Sequence, residues 1–252
     1  MFDINNPNIQ RRIAVAKDYS DQIKAISSSY ETSLMKVWSK YRSQVHTAAG
    51  RGEDTTSIVD ELIERLYDLL EELLTEAITI ACHREEMDTA IYVPLMPLSV
   101  QYAALDYYRD TVGKYRDILI SEIIFANSNG FTGDMNLFLF NPTAYMNDKK
   151  NGLLALKEGI TGVSKGVAYA FGDNMKKLGI SMAALAYTNS LAEIWKVRGG
   201  VAYYFGVRNS NYPCPLCDSH AYELIPVSQG MIYPLHNRCV CSIVQVYQNE
   251  IE

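Results

Sequence analysis

Cys214-Pro-Leu-Cys217 and His236-Asn-Arg-Cys239-Val-Cys241 carry the densest chemistry in this chain. Four of the five cysteines and two of the four histidines fall in this short window. A Cys-x2-Cys knuckle turns the backbone so that two thiolates face one centre, and a second half-site across a loop completes a tetrahedron. Structural zinc is held this way, by sulfur and imidazole at about 2.0–2.3 Å. The half-sites are separated by 236 − 217 = 19 positions, room for a loop or a short hairpin. Six side chains compete for four places: Cys214, Cys217, His236, Cys239 and Cys241, with His220 the sixth. On an extended strand Cys241 points to the same side as Cys239 and could replace His236. His220, three residues past the knuckle, reads as an outer neighbour or a solvent-facing side chain. So many soft donors favour a closed, structural site over a catalytic one, which keeps a position open for water.

Other chemistry for the same thiols fits less well. Disulfide frameworks belong to short secreted chains. Here 252 residues carry five cysteines, and Met1-Phe2-Asp3-Ile4-Asn5 does not open a basic-then-apolar leader. A thioredoxin-type pair needs a strand-to-helix junction, whereas Arg208-Asn209-Ser210-Asn211-Tyr212-Pro213 reads as a polar turn. Pro213-Cys214-Pro-Leu-Cys217 matches half of a deaminase pattern and His83-Arg84-Glu85 supplies a His-x-Glu upstream, but no strand-to-helix context supports such a site. Phosphate loops, dinucleotide fingerprints and metalloprotease helices are missing from the sequence, and its Gly-x-Ser-x-Gly match, Gly162-Val163-Ser164-Lys165-Gly166, opens a helical stretch with no strand before it. Cys82-His83 are adjacent on a helix and point about 100° apart, so a nucleophile–base pair is not expected. The sequence therefore predicts a non-enzymatic protein.

The elements that must position these residues are mostly helical. Asn5-Asn6-Pro7-Asn8 starts a helix whose apolar face includes Ile9, Ile13, Ala16, Ile23, Ile26, Tyr30, Leu34, Val37, Trp38 and Tyr41, running to about Val45. A turn from His46 to Glu53 follows. Thr55-Thr56-Ser57 caps a second helix, to about Cys82, with the stripe Val59, Leu62, Ile63, Leu66, Leu70, Leu73, Leu74, Ala77 and Ile80. A third helical period spans Val100 to Phe125, and 127–152 is turn-rich. Beyond Gly152 the pattern predicts short helices at Leu153–Glu158, Val163–Leu178 and Ser181–Lys196. A strand follows at Val201–Val207, then a loop at 221–235 and a last strand at Cys239–Tyr247. The expected fold is mainly α with a small α+β C-terminal module: a long N-terminal helical hairpin, and a C-terminal β-hairpin stapled by a Cys/His zinc site. The expected division is a helical assembly region, 1–150, and a zinc-bearing domain, 151–252.

A net charge of −6 argues against an extended nucleic-acid surface, so direct nucleic-acid binding is expected to be weak or nil. No apolar run reaches the roughly 18 residues of a membrane span. The 18 tyrosines suit a protein interface, and the long amphipathic helices suit oligomerisation.

From residue 152 onward the order of features resembles the Mu F-like minor head protein family, the head morphogenesis proteins of tailed phages. The resemblance rests on Leu156-Lys157-Glu158-Gly159-Ile160, on a helix holding Leu185-Ala186-Tyr187-Thr188-Asn189, on a glycine-punctuated strand, and on Cys-x2-Cys before Pro234-Leu235-His236-Asn237-Arg238-Cys239-Val240-Cys241-Ser242. It covers about the last 100 residues, the scale of one domain. The chain departs from the family pattern at Asn237, at Val240 and at Tyr187-Thr188-Asn189, where the family carries Arg-Thr-Glu. The resemblance implies a minor head protein inside the phage capsid or near the portal, acting in head morphogenesis and in DNA packaging or ejection. Its implied partners are portal or capsid proteins, and its implied location is the virion, with the host cytoplasm during assembly. A zinc-stapled binding module for nucleic acid or another protein is the alternative.

Overall fold

A computed structural model of the chain describes residues 2–51, 53, 56–87, 162–209, 213–235, 239 and 241–251. The predicted helix between Val100 and Phe125, the turn-rich stretch 127–152 with its domain boundary, and the segment Leu153–Glu158 lie outside the described residues.

The first helix, α1, spans Pro7–Gly50. Asn6 caps it: its Oδ1 accepts the Asn8 backbone N–H at 2.9 Å, and Pro7 sits where no donor is needed. The sequence pattern ends this helix near Val45, but it continues to Gly50. Thr47-Ala48-Ala49 holds nothing that stops a helix, and alanine is the best helix former. The Arg51 and Glu53 N–H groups then close on the Ala48 carbonyl, each at 3.0 Å. The second helix, α2, spans Thr56–Arg84, slightly longer than its stripe predicts. Both stripes are buried as expected apart from Val37, which is half-buried.

The third helix, α3, runs unbroken over Gly162–Arg198. The sequence reading divides it near Gly179, and here the structure differs. A glycine inside a helix costs about 1 kcal/mol relative to alanine but does not end it. Gly179 answers a close approach instead: a Cβ there would lie 2.2 Å from the Tyr30 ring. The helix stops at Gly199-Gly200, with φ of +68° and +83°, and the Gly199 N–H bonds the Trp195 carbonyl at 3.0 Å.

Strand β1, Val201–Val207, falls where the β-branched and aromatic run predicts it. A short helix, α4, follows at Pro215–Ser219. The predicted loop 221–235 contributes a two-residue strand, β2, Ile225–Pro226, and a 3₁₀ turn at Val227–Gln229. Strand β3 is Ser242–Tyr247, starting three residues later than predicted. The result is a three-stranded antiparallel sheet ordered β2-β1-β3, in place of the expected hairpin. Pro226 is tolerable because β2 is an edge strand. Central β1 pairs Tyr204 with Ile225 on one side and Phe205 with Val244 on the other.

The described residues fall into two compact units that interleave along the sequence. One draws on Glu31–Leu70 and on the first part of α3, up to Lys176; there Tyr41 donates to the Glu61 carboxylate across the α1–α2 turn, as a helical hairpin requires. The other draws on the first turns of α1 up to Tyr30, the end of α2 from Glu71, and the described residues from Lys177 onward, and holds the sheet. Alternation along the strands divides its residues between two faces. On one face Phe205, Val207, Val244 and Val246 pack with Ile9, Ile13 and Ala16 of α1. The other face carries Tyr204, Gly206, Ile243 and Gln245. Here Trp195 of α3 lies 6.2 Å, ring to ring, from Tyr204. Arg84, the last residue of α2, donates to the Ile243 carbonyl at 2.7 Å, to Gln245 Oε1 at 2.9 Å and to the Tyr187 hydroxyl at 3.0 Å.

Arg84 and its neighbour Glu85 are both buried, their side chains 2% and 6% exposed, and 3.5 Å apart. Arg198 reaches Glu85 Oε2 at 3.7 Å. Removing one member of a buried pair strands the other without solvent. Arg84→Met should therefore lower stability by about 3 kcal/mol, whereas Arg12→Met, which breaks the more exposed Arg12–Glu250 pair, should cost about 1 kcal/mol or less. Urea unfolding midpoints of the two variants would measure the difference. Equal midpoints would show that Arg84 contributes no more than a surface ion pair.

Candidate metal centre

The thiol groups converge through local backbone geometry. Cys214 caps α4 in an extended conformation (φ −137°, ψ 99°), and Pro215 fixes the first helical position. The Asp218 N–H closes the turn on the Cys214 carbonyl at 2.9 Å. This places Cys217 on the inner side of a single turn, 4% exposed. From the other half-site, Cys239 and Cys241 sit just before β3 begins, not within the strand as the sequence predicts. The sulfurs of Cys217, Cys239 and Cys241 nevertheless all lie within 4.8 Å of one another. Cys214 lies outside that mutual 4.8 Å group but is hydrogen-bonded to the Cys217 thiol. His236 lies outside the described residues.

One distance decides what the cluster can be. Cys217 Sγ and Cys239 Sγ are 3.8 Å apart. A disulfide needs about 2.05 Å. Tetrahedral sulfur at about 2.3 Å from zinc places neighbouring sulfurs about 3.8 Å apart, 1.63 times the bond length. The cluster thus has the spacing of one tetrahedral edge, and it is compatible with a structural metal. Its donors are soft sulfur, which selects zinc-like ions over magnesium or calcium.

Electrostatics within the cluster are uneven. The Cys241 thiol donates to the Cys239 sulfur, and the backbone N–H groups of Cys241 and Leu235 add to it. Together they hold the Cys239 thiol down to about 5 despite its burial. Burial pushes Cys217 up to about 12, and Cys241 is raised chiefly because it is the donor to Cys239. Within the cluster, then, negative charge is favoured on Cys239 over Cys217 and Cys241.

Tyr233 anchors the surrounding shell, and sequence reasoning did not single it out. Its phenol donates to the His220 carbonyl at 3.0 Å, and its own carbonyl accepts from Thr188 Oγ1 at 2.8 Å. A Cβ on Gly206 would lie 2.1 Å from the Tyr233 hydroxyl oxygen, so the glycine is what lets the ring lie against β1. A glycine inside a strand pattern signals such an approach, and that was the available clue. The His220 ring turns to the surface, where Nδ1 lies 2.7 Å from Glu223 Oε2. Cys82 is fully buried, its thiol pushed up by burial, while His83 is exposed.

No protein-family model, no curated protein and no solved structure matches this chain. Among the described residues, no helix is long and apolar enough to cross a membrane.

The Cys239 thiol lies below its ordinary value of 9.0. Its thiolate thus contributes stability that is complete above pH 9 and fades as pH falls toward 5. Chelator-treated, reduced protein should show one thiolate, read by absorbance near 240 nm, titrating near pH 5. The step should vanish in Cys239→Ser and move upward in Cys241→Ala, which loses the donor. A titration with all thiols ionising together near pH 9 would contradict this arrangement.

Proposed function

We propose that this chain is a non-enzymatic phage minor head protein whose C-terminal module is stapled by structural zinc. The observation that carries the zinc reading is the convergence of the knuckle thiol Cys217 with Cys239 and Cys241 from separate segments of chain, all within 4.8 Å and one pair, Cys217 and Cys239, 3.8 Å apart. The metal would join α4 to the start of β3 and stabilise the sheet by constraining the chain between them. In such small sites much of the metal's binding energy is folding energy. Support for the head-protein reading comes from the order of motifs after residue 152. The long helices, α2 with its acidic outer face and α1 with a more basic one, would present the assembly surface for portal or capsid subunits.

Protein purified without chelator should contain about one zinc per chain by metal analysis. Near-zero metal, with the thiols paired as disulfides, would contradict the zinc reading. The full-length chain should co-sediment with purified portal or capsid protein, with binding that changes little between low and physiological salt. A chain that ignores both and binds DNA with a steep loss on adding salt would favour the nucleic-acid-binding alternative, because phosphate contacts weaken sharply with salt.

A further inference from the structure

We infer that the metal is held by four thiolates, Cys214, Cys217, Cys239 and Cys241, and that His236 is not a ligand. This inference rests on the structural-zinc reading and narrows it. His220 aside, the sequence offers five donors for four positions, with His236 and Cys241 competing for one of them. The geometry assigns that position to sulfur, because Cys241 already stands within 4.8 Å of both Cys217 and Cys239. Three vertices are then sulfur. Cys214 is hydrogen-bonded to Cys217 from the cap of the same short helix. A knuckle of this kind presents both its cysteines to one ion, so Cys214 supplies the fourth vertex and closes the site. A tetrahedral ion then has no position left for an imidazole.

The surroundings suit such a centre. Four thiolates around a dication leave two net negative charges, which need donors and a counter-charge in a partly buried place. The backbone N–H groups of Leu235 and Cys241 point at the Cys239 sulfur. Arg208, paired with Asp218 at 2.6 Å, is within electrostatic reach of Cys214 and Cys217. Amide donors and a guanidinium stabilise sulfur-centred negative charge and lower the nucleophilicity of bound thiolate. A three-sulfur, one-imidazole centre would carry one charge fewer. The closed sulfur shell implies an inert staple with no position for water or substrate.

Cobalt(II) titration of the full-length, reduced chain tests the ligand set, since its sulfur-to-cobalt charge-transfer band grows with the number of thiolates. His236→Ala should keep one metal per chain and an unchanged cobalt spectrum. Cys241→Ser should lose about a quarter of the band, one sulfur in four, and bind more weakly. Should Cys241→Ser fail to fold, the wild-type zinc-loaded protein gives a second reading. Its Cys214, Cys217, Cys239 and Cys241 should all resist iodoacetamide until a chelator is added, as read by peptide mass. Alkylation of Cys214 or Cys241 with zinc still bound would overturn the four-thiolate set. So would loss of metal or a shifted spectrum in His236→Ala. If the reduced wild-type chain takes up neither cobalt nor zinc, the zinc reading itself fails, and this inference fails with it.

Discussion

Strand β1 must be satisfied on four sides, and much of the unit that holds it follows from that requirement. Both of its backbone edges are paired, by β2 and β3, and the half from Tyr204 to Val207 is buried. A central strand buried on both faces cannot expose polar groups or leave a face bare. The first turns of α1 cover one face with Ile9, Ile13 and Ala16. Trp195, Arg84 and Tyr233 cover the other. The beginning of the chain is therefore part of the same core as its end. A fragment cut free of α1 would expose Phe205, Val207, Val244 and Val246 to water, at about 25 cal/mol for each Å² of apolar surface.

Arg84 shows how a charge becomes tolerable in that core. Its guanidinium reaches the Ile243 carbonyl, Gln245, Tyr187 and the Glu85 carboxylate, and lies 5.9 Å from the Trp195 ring centre. Lysine could not replace it, because a compact ammonium cannot spread donors in a planar fork over partners on two elements. The arrangement ties the end of α2 to the sheet and to α3. Its location follows from the helix terminus: Arg84 closes α2 where unpaired carbonyls favour positive charge.

The thiol cluster depends on the same core. Cys239 and Cys241 are held just ahead of β3, which is fixed by its register with β1. Cys217 is held by α4, one residue before Asp218, whose pairing with Arg208 reaches back to the end of β1. Tyr233 spans the gap, lying against Gly206 while its backbone is bonded to α3 through Thr188. The donors are thus positioned by the sheet and its connections, and donors held in place lower the ordering cost of binding an ion. The spacing of Cys217 and Cys239, already that of a tetrahedral edge, is the sign of this preorganisation.

The sequence by itself determined the helices whose apolar faces repeat at three and four residues, the β1 strand, the glycine pair that ends α3, and the identity of the thiol donors. These are local matters: periodicity, caps, β-branched runs and the chemistry of sulfur. Some signals misled because they were read locally. Gly179 looked like a break, yet it is a contact point for Tyr30, 149 positions away by numbering (179 − 30). Cys239-Val240-Cys241 looked like the start of a strand, yet its two cysteines turn toward the cluster before β3 begins. Tertiary structure alone decided that β2 would turn a hairpin into a three-stranded sheet, that Arg84 would lie inside the core, and that Cys241 would stand among the thiols. The reason is physical. Spacing along a chain fixes which way a side chain leaves its own backbone, but which groups meet depends on long-range pairing and packing that no local pattern encodes.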